Sequence, residues 1–256
     1  FAPLLVMLLS TVMREPGVFA FSNFGLAYWT GTDGQPGVFT SPEILTALRN
    51  SLAIAGSAAV LCGVLGLTVG YAVVRLSGGW LAGFLRQISF LPYLMPGLAF
   101  AAAFLSLFAV PRGPIPALYG SLSLLILVMV VTYLPYASRS GISAMMQVGR
   151  EPEEAGMVLG AGFLRRILTI IGPLQKTALV TAIILPFISG MKELSLVIML
   201  VTPGTEMLTT QSLRFLDYGH TQLANATILI IGLVVMLLVL LLQRITKTNL
   251  AGGLGG

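Results

Sequence analysis

Few residues in this chain could do chemistry, and their types and spacing narrow what that chemistry can be. There is one cysteine, Cys62, and one histidine, His220. A lone cysteine excludes a disulfide framework within the chain and CxxC-type metal sites, and no His/Asp/Cys constellation supports metal catalysis or hydrolysis. A phosphate-cradling P-loop needs GxxxxGK[ST]. Lys176-Thr177 follows Gln175 and Lys247-Thr248 follows Thr246, so neither pair fits. Two places remain. One is Arg150 to Lys176, REPEEAGMVLGAGFLRRILTIIGPLQK, the longest charged interruption of an apolar sequence. The other is Lys192-Glu193, an ionisable pair inside an apolar run. Ionisable residues within membrane segments are costly and usually face a cavity or a partner.

In the first stretch, Pro152 suits the first turn of a helix, where its missing N–H costs nothing. Glu151, Glu153 and Glu154 crowd that turn, where the helix dipole favours them. Ala155, Leu159 and Phe163 recur at i, i+4 and i+8 as one apolar stripe. Gly160 and Gly162 turn the chain, and Phe163 to Ile171 forms a second short helix, ended by Gly172-Pro173. The spacing therefore predicts two short helices with one apolar side, which by itself describes an interfacial helix pair anchored by arginines.

The surrounding elements are apolar. Of 256 residues 56% are hydrophobic and 9% charged, against about 25% charged in soluble domains. The apolar runs predict membrane spans. FAPLLVMLLSTVM reaches only about 20 Å as a helix and reads as the remaining part of a first span. A polar loop follows over 14–45, with Phe24, Tyr28 and Trp29 as an interfacial belt. Further spans are predicted at 48–74, 87–110 (bent by Pro92 and Pro96), 117–136, 177–201 (interrupted at Pro186, Lys192 and Glu193) and 223–242. A short polar turn is expected over 75–86 and an outer loop over 202–221. Ala59-xxx-Gly63 and Gly66-xxx-Gly70 let helix backbones approach closely, with static packing the simpler reading. Cys62 reads as a small packing residue.

The net charge of +5 sets orientation rather than nucleic-acid binding. With sides alternating, Arg75, Arg86, Arg139, Arg150, Arg165, Arg166, Lys176, Arg244 and Lys247 fall on one side; Arg14, Arg49, Arg112 and Arg214 fall on the other. The richer side is cytoplasmic by the positive-inside rule, which puts 150–176 and the C-terminus there. Lys192 then lies roughly 24 Å beyond Lys176 along a helix, in the outer part of the membrane. It could line a pathway or gate with Glu193, tie to a neighbouring helix, or snorkel outward.

EAGMVLGAGFLRRILTIIGP resembles the EAA loop of type I ABC importer permeases: Glu154, Ala155, Gly160, Ile170 and Pro173 fall on that pattern. Gly156 and Gly172 depart from it, loosening the helix start and the turn. NSLAIAG, LPYLMPG and YLPYASRS look like other parts of the family, and MKELSLVIMLVTPGTEML looks like its ferric-iron branch.

The resemblance implies an all-α integral membrane fold of six transmembrane helices, the first truncated, with a cytoplasmic coupling-helix loop. It implies a truncated first helix and outer loop at 1–45, the transmembrane domain at 46–243 and a cytoplasmic tail at 244–256, with AGGLGG a flexible end. The chain would be one half of a permease pair, most like the C-terminal half of a double-length protein. It would sit multi-pass in a bacterial inner membrane and move solute inward from a periplasmic or extracellular binding protein. A pair of ABC ATPase subunits would hold the ATP and Mg; this chain would need no cofactor and would not be an enzyme. Glu154, Ala155, Leu159, Gly160, Phe163 and Pro173 would form the ATPase-coupling surface, with Gly160 allowing close approach. Fe3+ is the leading cargo, with a phosphonate, a polyamine or thiamine as alternatives. Glu206, Asp217, Tyr218 and His220 offer some ligands to a hard ion, though a solvated loop touching the binding protein is the simpler reading. An ion-coupled secondary transporter is the reading from another class; it needs protonatable residues near the midplane, and few exist.

Overall fold

The computed structural model describes residues 2–32 and 34–246; Lys247 and the rest of the predicted tail lie outside the described residues. The described residues form helices and no β-strand, with isolated bridges only at Met13–Phe24, Thr32–Gln35 and Arg112–Ile115. Among them three helices are long and apolar enough to cross a membrane, or up to five if each of two bent pairs counts as one span. The three are Pro42–Arg75, Leu122–Gln147 and the 221–244 part of Thr221–Thr246. Ala2–Val12 is apolar but shorter.

Several boundaries differ from expectation. The span predicted at 87–110 is broken into Trp80–Ile88, a 3-10 turn Leu91–Leu94 and Gly97–Phe108. Pro96 pushes the preceding residue out of the helical region, and Met95 is extended at φ −95 and ψ 134. The polar turn expected up to residue 86 is correspondingly short, because helix resumes at Trp80. Pro135 does not end its helix, which runs on to Gln147; a membrane helix tolerates proline when neighbours re-satisfy the freed carbonyl. The outer loop carries a helix of its own, Leu208–Asp217, burying Leu208, Gln211 and Ser212. At its start Met207 N–H donates to Thr210 Oγ1 at 3.0 Å.

The chain divides into two compact units, and the breaks at 55/56, 126/127, 189/190 and 237/238 fall inside helices. One unit holds residues 1–55, 97–126 and 190–237. Buried polar side chains tie it together. Asn50 Nδ2 donates to the Gly204 and Glu206 carbonyls, each at 3.0 Å, and Ser51 Oγ accepts from Leu208 N–H at 2.8 Å. Gln211 Nε2 donates to Glu43 at 2.9 Å. Asn50 and Ser51 are 2% and 0% exposed, so the NS pair opening NSLAIAG serves to satisfy loop backbone that would otherwise be buried unpaired.

Of the described residues, the other unit holds 56–96, 127–189 and 238–246. Here small residues set the helix spacing. A Cβ on Gly66 would stand 2.5 Å from the Ala137 carbonyl, and one on Gly70 would run into the backbone at Gly141. The two helices meet backbone to backbone, which replaces a hydrophobic driving force in lipid. Cys62 is fully buried, its Sγ 3.4 Å from the Val130 carbonyl.

Candidate functional site

The stretch 150–176 folds as a helical hairpin within this second unit. Its first arm is Glu151–Val158, with Pro152 in the first turn beside Glu151, Glu153 and Glu154. The arm closes at Leu159. Gly160 N–H donates to the Met157 carbonyl and Ala161 N–H to the Gly156 carbonyl, both at 2.9 Å. That pair of bonds is the Schellman arrangement, which needs a left-handed residue after the cap. Gly160 supplies it at φ +76. A Cβ there would meet nothing within 4 Å, so within the chain Gly160 is required by backbone conformation.

The second arm runs from Phe163 to Leu174, further than expected. Residues Ile167–Ile171 are wound as π-helix, and Gly172 remains helical at φ −56 and ψ −51. Gly172-Pro173 therefore lies inside the arm; the break comes at Gln175, beyond which Lys176–Met191 leaves at 80°. Gly156 also differs from its expected role. A Cβ on it would stand 2.7 Å from Ile170 Cδ1, so it packs the two arms together rather than loosening the first.

The hairpin is fastened to the Pro42–Arg75 helix by one carboxylate. Tyr71 Oη donates to Glu153 Oε1 at 2.6 Å, and Arg75 Nε donates to Oε2 at 2.9 Å. Arg166, on the second arm, brings its Nε to 3.7 Å from Oε1. Its Nη1 donates to the Ala161 carbonyl at 3.0 Å, closing the turn. Arg75 Nη2 reaches the Gly149 carbonyl at 3.0 Å. The Glu153, Arg75 and Arg166 side chains are only 8%, 11% and 14% exposed. Burial pushes the Glu153 carboxyl upward, but hydrogen bonds from Tyr71 and Arg75 and the charges of Arg75 and Arg166 outweigh it. The net shift is below the ordinary carboxylate range.

This cluster does not follow from the stripe. Ala155 and Leu159 do not share a helix with Phe163, because the turn at Gly160 separates them. Phe163 packs edge-on against Tyr71, with centroids 5.6 Å apart, while Leu159 is 86% exposed. Exposed apolar groups gather at the hairpin's tip and along its second arm: Val158, Leu159, Phe163 (53% exposed), Leu164 and Leu168. Glu154, Ala155 and Pro173 are also exposed. Tyr71, Arg75, Glu153 and Arg166 were not anticipated as a group. The available signal was Tyr71 and Arg75 one helical turn apart, ahead of an acidic run.

In the first unit, Lys192 follows the end of Lys176–Met191 and is exposed, lining a recess with Thr209 and Leu216. It is thus placed at a helix end rather than within one. The Glu193 carboxylate accepts from Leu196 N–H at 3.0 Å. The residues Glu206, Asp217, Tyr218 and His220 do not converge. Glu206 binds the Gly204 N–H at 2.7 Å, and among the described residues no three His, Cys, Asp or Glu side chains could hold a metal ion together.

Apolar helices of this length, broken at prolines, describe a multi-pass α-helical membrane protein. The chain belongs to the family of binding-protein-dependent transport system inner membrane components, whose sequence profile matches residues 63–249. It is 30% identical over 197 residues to the ferric transport system permease protein FbpB of Actinobacillus pleuropneumoniae, covering 76% of this chain and 28% of that protein. It thus spans about a quarter of that relative's length. It is 26% identical over 223 residues to the sulfate transport system permease protein CysT of Salmonella typhimurium, covering 80% and 79%. In fold it is similar to a chain of a bacterial ABC transporter involved in the import of the acidic polysaccharide alginate, with TM-score 0.75 at 14% identity, covering 96% and 88%. A chain of the MetNI methionine ABC transporter matches with TM-score 0.62 at 18% identity, covering 82% and 100%.

Proposed function

We propose that this chain is the membrane-spanning subunit of an ATP-driven importer, and that the 151–174 hairpin is the surface a separate ATPase grips. The observation that carries this reading is a hairpin with apolar side chains outside and a charged clamp inside. Val158 and Leu159 are 87% and 86% exposed, while Glu153 is 7% exposed and paired. An apolar tip held on a rigid base is what a partner groove needs to grip. Glu154, exposed in the first turn of the hairpin, is available to a basic partner side chain, and Ala155, Gly160 and Pro173 are exposed on the same hairpin. ATP and Mg belong to the partner, and a solute-binding protein delivers cargo on the opposite side. Lys192 and Glu193 belong to the pathway or its gate.

Ferric iron is the leading cargo, supported by the ferric permease relatives at 30% identity. Sulfate is a second reading, favoured by the CysT match extending over 79% of that protein. Reconstitution in vesicles with an ABC ATPase separates them. Stimulation of ATP hydrolysis by a ferric-binding protein supports the first; stimulation only by a sulfate-binding protein overturns it. Leu159→Asp with Leu164→Asp should leave the chain folded and abolish stimulation by either. Undiminished stimulation would remove the hairpin from the coupling surface.

A further inference from the structure

A recess in the same unit as the hairpin has no part in the clamp. The end of Trp80–Ile88 and the Leu122–Gln147 helix enclose about 450 Å³, lined by Arg86, Gln87, Phe90, Ser138, Arg139 and Ser143, among others. The charge lining it is of one sign. No carboxylate lines it, and neither Arg86 nor Arg139 makes an ion pair among the described residues. Arg86 and Arg139 are therefore two cations without an acidic partner among the described residues. The Arg139 guanidinium is held 4.6 Å from the centre of the Phe90 ring, a cation–π contact that fixes the head without neutralising it.

Ser138 adds an independent observation. It is 2% exposed, and its Oγ has no hydrogen-bond partner among the described residues. A buried hydroxyl left unpaired is destabilising, and native structures seldom keep one without a ligand or water to meet it. Two guanidinium forks and a buried hydroxyl around one small recess match a group with several oxygens and a negative charge.

We propose that this recess binds a tetrahedral oxyanion of the phosphate class, carried as a lipid headgroup or free in solution. The guanidinium groups of Arg86 and Arg139 neutralise it, and Ser138 donates to one of its oxygens. The site stands apart from the hairpin, so it does not depend on the coupling reading.

The full chain, purified in an uncharged detergent, tests this in two arms. The first measures equilibrium binding of labelled inorganic phosphate. The second follows retention of phosphatidylglycerol against phosphatidylcholine by native mass spectrometry. One equivalent of phosphate is expected if the anion is soluble; one equivalent of phosphatidylglycerol alone is expected if it is a headgroup. Arg86→Gln with Arg139→Gln should weaken whichever binds by about tenfold or more, the loss of a charge-assisted hydrogen bond. Ser138→Ala should weaken it less, and Arg112→Gln, outside the recess, should not change it. Neither probe binding, or the double variant binding as well as the parent, overturns the proposal. If the double variant fails to fold, Arg86→Gln alone decides, because that side chain is exposed and its loss disturbs little packing.

Discussion

Replacing Glu153 with glutamine keeps the shape of the clamp and removes its charge. In the parent, one carboxylate accepts from Tyr71 at 2.6 Å and from Arg75 at 2.9 Å, with Arg166 at 3.7 Å. A glutamine amide offers one acceptor and one donor, so either Tyr71 or Arg75 then faces an N–H. Two guanidinium groups, 11% and 14% exposed, lose the anion between them. One charge-assisted hydrogen bond in a buried setting is worth about 2 kcal/mol. For a chain of this size that lowers the melting temperature by about 4–8 °C. The assay is supplied by the sequence. Cys62 is the only cysteine and is fully buried, so a thiol-reactive fluorophore reports unfolding at one place. Arg75→Gln should cost a similar amount, and the double variant should cost less than the sum, because the two share one interaction. If Glu153→Gln melts within about 1 °C of the parent, or the two losses add fully, the clamp contributes nothing and the reasoning fails.

Other outcomes follow from the same geometry. The Glu153 carboxyl is held below the ordinary range when folded. Its contribution is therefore fully present above the unfolded-state value and lost as pH falls through the folded one; Glu153→Gln should flatten the acid limb of a melting-temperature profile. Gly70→Val drives a side chain into the backbone at Gly141 and should destabilise by about 1–3 kcal/mol in the same thiol assay. Gly160→Ala places a Cβ in open space but at φ +76, so it should cost about 1 kcal/mol through the backbone alone, whereas Gly160→Arg should leave the chain inserted and abolish ATPase-driven transport in vesicles. Asn50→Leu leaves the Gly204 and Glu206 carbonyls without their buried donor; a Glu-specific protease should then cut after Glu206 faster than in the parent.

What the sequence revealed was local. Pro152 and three acids marked a helix start, and Gly160 marked its end, because capping chemistry acts within a few residues. The apolar run placed the end of Pro42–Arg75 to within one residue but began it six residues late, at 48. What stayed hidden was long-range. Glu153 meets Tyr71 and Arg75 across 82 and 78 residues, and nothing in an acidic run says which acid turns inward. The i, i+4, i+8 reading of Ala155, Leu159 and Phe163 assumed one straight helix, and the turn at Gly160 invalidated it. Pro135 and Pro96 have the same local chemistry. One sits inside a continuous helix and the other breaks the chain, so tertiary context, not residue type, decided between bend and break. Leu208–Asp217 was obscured by its polar content, because its buried Gln211 and Ser212 read as loop residues until their partners are known.

The Glu153 carboxylate has a mechanical consequence as well as an energetic one. Its three cationic or hydroxyl partners come from two places: the last turns of Pro42–Arg75 and the second arm of the hairpin. With its own position on the first arm, this makes a triangle, each corner on a different helix. A triangle cannot shear without changing the length of a side. A load applied at Leu159 therefore cannot fold the hairpin at Gly160 while the contacts last. It is passed as torque to the end of Pro42–Arg75, and from there to whatever that helix touches through Gly66 and Gly70. The glycine at the tip, which looks like a hinge, is braced into a rigid corner by a carboxylate seven residues before it.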